Sequence, residues 1–344
     1  MKFKPFINKF YKWSFHDCFM VKNSLISTTT HPYSEKDISV IIPTYNRAEE
    51  LKITLKSFLA LEEKTREIIV VDQSENDETK KIVKQYKLKY VHSKIPSLTI
   101  ARNLGIKNAS KNSKIILFID DDTLFNKNYL KELLKVYNNF SDAIGVAGYF
   151  NPPHFNKGLN FFKKIFLLFS YEKNKTRITA PFGNTYPSKL NSIIKAQWLP
   201  GVNMSYKKEI FKNNRFDENF LGYALTEDIG FSYSILRKGL GNLYISPFAK
   251  VTHRVSKTSR ANEKRRQYIN TVDHIYFYFK NKSFIFFIKL IWNVIGITLL
   301  RIFRFIGMPN KRNFYSLLYF LSSVLYCINN LNKIKRGKIR EFKL

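Results

Sequence analysis

The chain of 344 residues is long enough to bury a sizeable core, in one large domain or in two modest ones. With 44% hydrophobic and 16% aromatic residues, it is too apolar to be a disordered chain. Its formal net charge of +32 indicates an anionic partner (nucleic acid, an anionic membrane surface or a phosphate-bearing substrate), unless the lysines merely solvate an ordinary surface.

The first 37 residues mix aromatic and polar side chains and are interpreted as an N-terminal extension. They lack the uninterrupted apolar core of a secretory signal. Cys18 and Cys327 are too far apart in the sequence to indicate a redox or metal motif, and they do not imply a disulfide framework. We therefore expect the catalytic part of the protein to remain in the cytosol.

From residue 38 onward, strand patterns alternate with helix patterns. Apolar runs at residues 38–43, 67–72, 114–120 and 143–150 have the length and β-branched content of strands buried on both faces. Apolar residues with a period of 3.6 lie between them. The alternation predicts an α/β domain with a Rossmann-like, mostly parallel sheet flanked by helices, whose ligands bind beyond the carboxyl ends of the strands. The periodic residues are Leu51, Leu55, Phe58 and Leu59, then Leu130, Leu133, Leu134 and Tyr137.

The third apolar run ends in three consecutive carboxylates, Asp120, Asp121 and Asp122. Such a concentration of negative charge is unfavourable unless a cation neutralises it. Oxygen ligands at a strand end suit Mg²⁺ or Mn²⁺, usually shared with substrate phosphates. An acidic turn that caps a helix starting near Asn126 would have the same sequence, so the residues alone leave both interpretations open.

Two other strand ends carry candidate residues. The second run ends in Asp72, which could accept hydrogen bonds from a nucleotide's base or ribose, or could cap a helix beginning near Asp77. The first run ends at Pro43-Thr44-Tyr45-Asn46-Arg47, where we expect the backbone to turn abruptly and to hold part of a nucleotide.

Six segments together indicate a family. Residues 39–47, 70–74, 101–105 and 120–122, followed by Gly201-Val202-Asn203-Met204-Ser205 and Thr226-Glu227-Asp228, resemble in order and spacing the family 2 glycosyltransferases of GT-A fold. The resemblance covers residues 38–255. It implies a GT-A catalytic domain that transfers a sugar from a nucleotide diphosphate to an acceptor hydroxyl, with inversion at the anomeric carbon.

The resemblance also implies the donor half of the site. The acid matching Asp72 contacts the nucleotide base in such enzymes, and the D-x-D pair, here Asp120 and Asp122, addresses the ribose and the divalent metal, with Asp122 as a metal ligand. His253 falls where many relatives place a further metal ligand, although a hydrogen-bonded structural histidine is the alternative. The remaining expected donor-binding residues are Pro43, Tyr45, Arg47, Arg102 and Asp121.

On the acceptor side, the acid matching Asp228 is the family's catalytic base, although an acid near a helix N-terminus is also favourable for structural reasons. Arg102 is expected to contact the diphosphate or the sugar, or else to be an exposed arginine on a helix surface. The indole of Trp198 could stack on a sugar or belong to the core. The expected acceptor and sugar pocket comprises Trp198, Gly201, Asn203 and Glu227.

The implied mechanism is a single displacement. Asp228 removes the acceptor proton as general base, while a metal held by Asp122 stabilises the charge on the departing diphosphate. We expect a UDP-sugar donor and a glycan or lipid-linked acceptor. Gln73 stands where relatives often have a small or acidic residue, which leaves the nucleotide base open.

The rest of the chain differs in character. Residues 151–196 are interpreted as a variable insertion on the acceptor side, whose aromatic run at 161–169 could contact an acceptor lipid or fill the core. In the basic extension at 256–344, the apolar runs at 283–307 and 314–328 predict amphipathic helices that lie in an anionic membrane interface. Packing on the catalytic domain and true spanning are the alternatives. We expect a peripheral protein on the cytoplasmic side of the plasma membrane, active in surface polysaccharide or lipid-linked glycan synthesis.

Two other protein classes match single features. A nucleic-acid-binding protein would suit the net charge and the basic stretch at 254–266, but no recognition signature accompanies them, so no nucleic acid is expected. A D-x-D phosphatase would need Thr or Val two residues after the second aspartate, where this chain has Leu124.

Overall fold

The computed structural model describes residues 32–220, 222, 224–256 and 262–339. The predicted N-terminal extension therefore lies almost wholly outside the described residues, as do Lys257 and Arg260 of the basic stretch.

The described strands alternate with helices through the first 150 residues, as predicted. The strands are β1 (Ile38–Thr44), β2 (Glu67–Asp72), β3 (Lys89–His92), β4 (Ile115–Phe118), β5 (Thr123–Phe125), β6 (Ala143–Phe150), β7 (Ser170–Glu172), β8 (Ile178–Ala180), β9 (Gly183–Pro187), β10 (Ile194–Ala196), β11 (Met204–Lys207) and β12 (Asn242–His253).

The helices follow the same order. They are α1 (Ala48–Leu59), α2 (Glu78–Gln85), α3 (Leu98–Asn108), α4 (Tyr129–Asn139), α5 (Lys157–Ile165), α6 (Glu227–Arg237), α7 (Glu263–Lys280), α8 (Phe284–Gly307), α9 (Lys311–Asn329) and α10 (Leu331–Lys335). Short 3-10 helices occur at Glu35–Asp37, Gly201–Asn203 and Lys208–Lys212.

Nine strands form one mixed sheet in the order β10-β12-β6-β11-β4-β1-β2-β3, with β5 paired to β12. The pairings β1–β2, β1–β4, β2–β3 and β6–β12 are parallel, whereas β5, β10 and β11 run in the opposite direction. Every residue of β1 is buried, as a strand covered by helices on both faces requires. The predicted α/β class, with a mostly parallel sheet flanked by helices, is confirmed.

Strand register fixes where the site residues meet. Thr44 at the end of β1 pairs with Asp72 at the end of β2, and β4 runs parallel to β1 on its other side. On the far side of the carboxylate triplet, β5 pairs antiparallel with β12 so that Thr123 lies opposite His253. The carboxylate triplet is therefore surrounded by the carboxyl ends of β1, β2, β4 and β12.

The predicted insertion contains α5 and a small sheet in which β9 lies between β7 and β8. It packs closely on α8. A Cβ atom added at Gly296 would lie 2.3 Å from the Cβ atom of Phe166, so glycine is what allows this approach. Asn293 bridges the same interface: its Nδ2 donates to the Phe166 carbonyl (2.7 Å), and its Oδ1 accepts from the Phe182 amide (3.1 Å).

The C-terminal helices are both packed and exposed. Helix α7 contributes Val272 and Phe277 to the core cluster that also contains Ile41 of β1. Helix α8 has 24 residues, and its most apolar stretch has a mean hydropathy of 1.9 with only 11% of that stretch buried, so it is long and apolar enough to cross a membrane. On length and composition, the spanning alternative thus stays open beside the interfacial one.

Candidate active site

The structure brings Asp120, Asp122 and His253 together at the carboxyl edge of the sheet. Their ligand atoms all lie within 4.8 Å of one another, and His253 Nε2 is 3.1 Å from Asp122 Oδ1. The pairing of β5 with β12 accounts for this proximity, because it places His253 beside the residue that follows Asp122. Two carboxylates and an imidazole suit a divalent cation, with the carboxylates favouring Mg²⁺ or Mn²⁺.

Arg47 bridges Asp122 of this cluster and the neighbouring Asp121. Its Nη1 is 2.6 Å from Asp121 Oδ1, and its Nη2 is 2.8 Å from Asp122 Oδ2. Asn46, immediately before it, has a φ of 52°, a left-handed conformation that asparagine tolerates better than most residues. The abrupt turn predicted after β1 is therefore present and directs Arg47 onto the acids.

Asp121 points away from the three-residue cluster. Its side chain is buried and accepts a hydrogen bond from Thr44 Oγ1 (2.7 Å), while its carbonyl accepts one from Thr54 Oγ1 (2.7 Å). No helix begins at the triplet, because β5 follows it directly and α4 starts at Tyr129. The alternative in which the acids cap a helix is therefore wrong.

The pKa values of the three acids are shifted in different directions. Burial raises the pKa of Asp120, with Arg102 opposing, and burial raises the pKa of Asp121 to about 7 against the effect of Arg47. Burial also acts on Asp122, but hydrogen bonds from His253 and from the Ser256 amide outweigh it and hold the pKa of Asp122 well below its usual range. Asp122 therefore stays anionic, as a metal ligand must.

A second charged group surrounds Asp228. The side chain of Arg102 is 1% exposed; its Nη1 donates to Glu227 Oε1 (2.5 Å), and its Nη2 lies 3.8 Å from Asp120 Oδ1. The alternative of an exposed surface arginine is therefore wrong. Asp228 accepts hydrogen bonds from the amides of Gly201 (2.9 Å) and Ile229 (2.7 Å).

Gly201 is needed for this arrangement. An added Cβ there would lie 2.8 Å from Arg102 Nη2 and 3.5 Å from Asp228 Oδ2. Burial raises the pKa of Asp228, while the Gly201 amide and Arg102 oppose it; burial and then Asp228 raise the pKa of Glu227. Asp228 is thus a carboxylate with raised basicity, and Glu227 is the buried partner of Arg102.

Asp72 is fully buried at the end of β2. Its carboxylate accepts from the hydroxyl of Tyr90 (3.0 Å) and from the Ser74 amide (2.9 Å). It does not cap α2, whose N-cap is Asp77. Gln73 donates to the Ser97 carbonyl (3.0 Å), while Pro43 is buried inside β1 and Tyr45 is 36% exposed on the turn beyond it.

Two expected pocket residues lie in the core instead. Trp198 is 5% exposed, and its indole Nε1 donates to the Thr185 carbonyl (3.1 Å), so its faces are covered by protein and do not stack on a sugar here. Asn203 is fully buried, with its Oδ1 accepting from the Gly148 amide (2.5 Å). Trp198 thus joins the insertion and Asn203 joins β6, and the assignment of both residues to the sugar pocket stays a prediction.

The sequence did not predict two contacts. Ser256 donates its amide to Asp122 Oδ2 (2.9 Å), and Tyr90 donates to Asp72. The contact of Tyr90 with Asp72 is explained by the strand register. Strand β3 lies beside β2 with His92 opposite Asp72, so Tyr90, two residues before His92, is also near Asp72. The position of Ser256 has no comparable signal, since it lies in a loop beyond β12.

Comparisons with known proteins find similar chains among bacterial glycosyltransferases. The chain is similar to the glycosyltransferase GlyA of Streptococcus pneumoniae serotype 4, with 29% identity over 193 residues, 54% of this chain and 26% of that protein. It is similar to the poly(ribitol-phosphate) beta-N-acetylglucosaminyltransferase TarP of Staphylococcus aureus N315, with 31% identity over 123 residues, 33% of this chain and 37% of that protein. The matching segment is thus only about a quarter to just over a third of the length of these relatives.

A crystal structure of GalNAc-T7 with UDP, GalNAc and Mn²⁺ aligns with 70% of this chain and 50% of that chain, at 16% identity and a TM-score of 0.49. The family model described as glycosyl transferase family 2 matches residues 39–212, about half of the chain, and ends before Glu227, Asp228 and His253. This match confirms the resemblance to family 2 glycosyltransferases found in the sequence. The chain belongs to glycosyl transferase family 2.

Proposed function

We propose that the protein transfers a sugar from a nucleotide-diphosphate sugar, expected to be a UDP-sugar, to an acceptor hydroxyl with inversion at the anomeric carbon. The observation that carries the proposal is the separation of two acidic groups by one buried cation. Arg102 Nη2 lies 3.8 Å from Asp120, which belongs to the cluster with Asp122 and His253, and Arg102 Nη1 donates to Glu227, the neighbour of Asp228.

The first group suits the donor diphosphate. Asp120, Asp122 and His253 would hold a divalent metal, with Asp122 kept anionic by its hydrogen bonds. When bound, such a metal stabilises negative charge on a departing diphosphate. A cation there would compete with Arg47, whose guanidinium already pairs with Asp122.

The second group suits proton abstraction. Asp228 is held by two backbone amides, which fix the carboxylate, and burial raises its pKa towards the range in which a base is effective. Asp228 would take the proton of the acceptor hydroxyl as that oxygen attacks the anomeric carbon. Arg102 and Glu227 would position Asp228 and limit the net charge around it.

The outer faces of α8 and α9 support a membrane partner. On α9 a stripe of apolar residues with helical spacing is exposed, and on α8 the exposed residues are also mainly apolar. We propose that residues 256–344 lie against the cytoplasmic face of the plasma membrane, beside a catalytic domain at 38–255 with its acceptor-side insertion at 151–196. The exposed stripe on α9 consists of Phe314, Leu318, Leu321, Leu325 and Ile328.

The proposed setting is synthesis of a surface polysaccharide or another lipid-linked glycan. The name of the S. aureus relative, which glycosylates poly(ribitol-phosphate), supports a surface polymer as acceptor. A membrane-bound acceptor also agrees with the exposed apolar helices.

Replacement of the proposed base tests the reaction. Asp228→Asn should abolish transfer while the protein still binds its donor with metal, because the amide cannot accept the proton at working pH. Donor binding would be followed by calorimetry across a panel of nucleotide sugars, and transfer by chromatography of the acceptor.

The control is Asp142→Asn, which removes an acid at the opposite end of the sheet, where it binds Asn242 and Tyr244. We expect near-normal transfer from it. Near-normal turnover by Asp228→Asn would contradict the assignment of the base.

A further inference from the structure

A cleft of about 690 Å³ lies between α7, α8 and α9, outside the site described above. Among its described lining residues are four arginines and a single carboxylate, Glu263. The arginines come from three different helices, so their convergence is a product of folding and not of a basic run in the sequence. They are Arg266 of α7, Arg301 and Arg304 of α8, and Arg312 of α9.

One of these arginines is fixed in place. Arg301 donates from Nη1 to the Ser316 carbonyl (2.6 Å) and from Nη2 to Gln267 Oε1 (2.5 Å), and its guanidinium lies 5.1 Å from the ring centroid of Phe320. Arg266, Arg304 and Arg312 are exposed around it. The cleft thus has a rigid floor and a cationic rim.

The positive charges in this region oppose one another. Burial and then Arg304 lower the pKa of Arg301 to about 10, against Glu263, and burial and then Arg304 lower the pKa of Lys163 on the neighbouring α5. Among the described lining residues, Glu263 is the one carboxylate, and it leaves most of this positive charge uncompensated. An anion with several oxygens would relieve the repulsion, and arginine binds phosphate oxygens in a bidentate manner.

The cleft connects two functional regions. Leu225, three residues before Asp228, lies on one wall, and Met308, which is 66% exposed next to the apolar face of α8, lies on another. A phosphate bound here would contact the segment that leads into α6 and would lie beside the membrane-facing helices.

We propose that the cleft between α7, α8 and α9 binds the phosphate or diphosphate group of a membrane lipid. The inference rests on the proposed membrane association but not on the identity of the donor. The lipid source is either a phospholipid headgroup or the phosphate that links an isoprenoid to the glycan acceptor, since both present the same oxygens to the arginines.

The test removes two exposed arginines of the rim, with the double variant Arg266→Gln and Arg304→Gln in the full-length chain. The fold should survive, because the substitutions relieve repulsion and leave Arg301 in place. The charge-matched control is Lys335→Gln with Arg336→Gln, which removes two exposed cations at the C-terminal end of α10 that do not line the cleft.

The probe for the site itself is inorganic pyrophosphate, added with a chelator to proteins that also carry Asp122→Ala, so that metal-dependent binding at the donor site is removed. We expect pyrophosphate to raise the Tm of the Asp122→Ala protein and of the control, and to bind at least about tenfold more weakly to the rim variant. The proposal would be overturned if pyrophosphate had the same effect on the control and on the rim variant. It would also be overturned if pyrophosphate did not raise the Tm of the protein that carries only Asp122→Ala.

Two further arms separate the sources. Flotation with phosphatidylcholine vesicles, with and without phosphatidylglycerol, tests the headgroup, and an isoprenoid diphosphate in neutral detergent micelles tests the acceptor link. Selective loss of binding by the rim variant in either arm supports the proposal and identifies the source. Equal binding by the control and the rim variant in both arms overturns it.

Hydrolysis of the nucleotide sugar in solution distinguishes a failure of the cleft proposal from a failure of the proposed function. The rim variant should hydrolyse the nucleotide sugar at the wild-type rate, because Arg266 and Arg304 do not contact Asp122 or Asp228. If no nucleotide sugar binds while the arginine-dependent pyrophosphate response remains, the proposed function fails and the cleft proposal stands.

Discussion

The carboxyl edge of the sheet buries charged side chains, whereas the α8–α9 pair exposes apolar ones. At the edge, charged side chains such as Arg102 and Asp122 are almost completely buried, and each has a partner within the chain. On α8 and α9, large apolar side chains such as Ile306, which is 69% exposed, face outward. The first region is explained by contacts inside the protein, whereas exposed apolar area of the second kind is typical of an interaction surface.

The largest expected effect is at the edge of the sheet. Asp122→Ala should reduce transfer by about 10³-fold or more, because a metal contributes several kcal/mol of charge stabilisation. The matched control is the neighbouring carboxylate: Asp121→Asn should keep its metal dependence, since Asp121 lies outside the three-residue cluster. Activity titrated with Mn²⁺ measures both, and equal loss of metal dependence would contradict the assignment.

Removing the buried cation tests the internal pairing. Arg102→Met leaves Glu227 buried without its partner, and we expect the free energy of unfolding to fall by about 3–5 kcal/mol. Arg237→Met on α6, an exposed arginine, should change it by less than about 0.5 kcal/mol. Urea denaturation gives both values. If the two variants were equally stable, the buried pair would not be what holds α6 to α3.

For the exposed helices α8 and α9, we expect substitutions to change membrane binding and not the stability of the protein. Ile306→Glu with Leu325→Glu should leave stability in solution unchanged, but weaken vesicle binding by about tenfold or more, because burying such a side chain contributes about 1.5–3 kcal/mol. Ile95→Glu, at an exposed position outside these helices, is the control and should bind vesicles normally. Sedimentation with vesicles measures the change. A loss of stability instead would mean that the face is covered by protein.

The smallest expected effect concerns pH. Burial places the pKa of Asp228 above its ordinary value of 3.8, so kcat at saturating donor should rise with pH through that raised value, and fall about tenfold for each unit below it. Protonation of Asp120, which also has a raised pKa, should affect the KM for the donor instead. An acid limb at the ordinary value would contradict a buried base.

The sequence predicted the core of the sheet well, because a strand buried on both faces needs a continuous apolar run. The runs at 67–72 and 143–150 have the same bounds as β2 and β6, whereas the run at 114–120 extends beyond β4. Strand β11 could not be placed between β4 and β6 in advance, because that pairing joins segments far apart in the chain.

The sequence predicted which acids belong to the candidate site, but it did not predict which side chains pair with one another there. Asp120, Asp122 and His253 meet because β5 pairs with β12, which no local pattern encodes. Arg102 and Glu227 are 125 residues apart, so their pairing depends on tertiary structure. Trp198 shows the converse, since a side chain able to stack on a sugar is equally able to fill a core.

The contact between Gly296 and Phe166 has a consequence for how such enzymes diversify. Because α8 approaches the insertion at a glycine and is tied to it by Asn293, neither segment can be exchanged with a homologue's version without loss of complementarity. Recombination that preserves a working protein should therefore transfer the insertion and α8 together. The insertion and the exposed apolar helix would then be inherited as one unit.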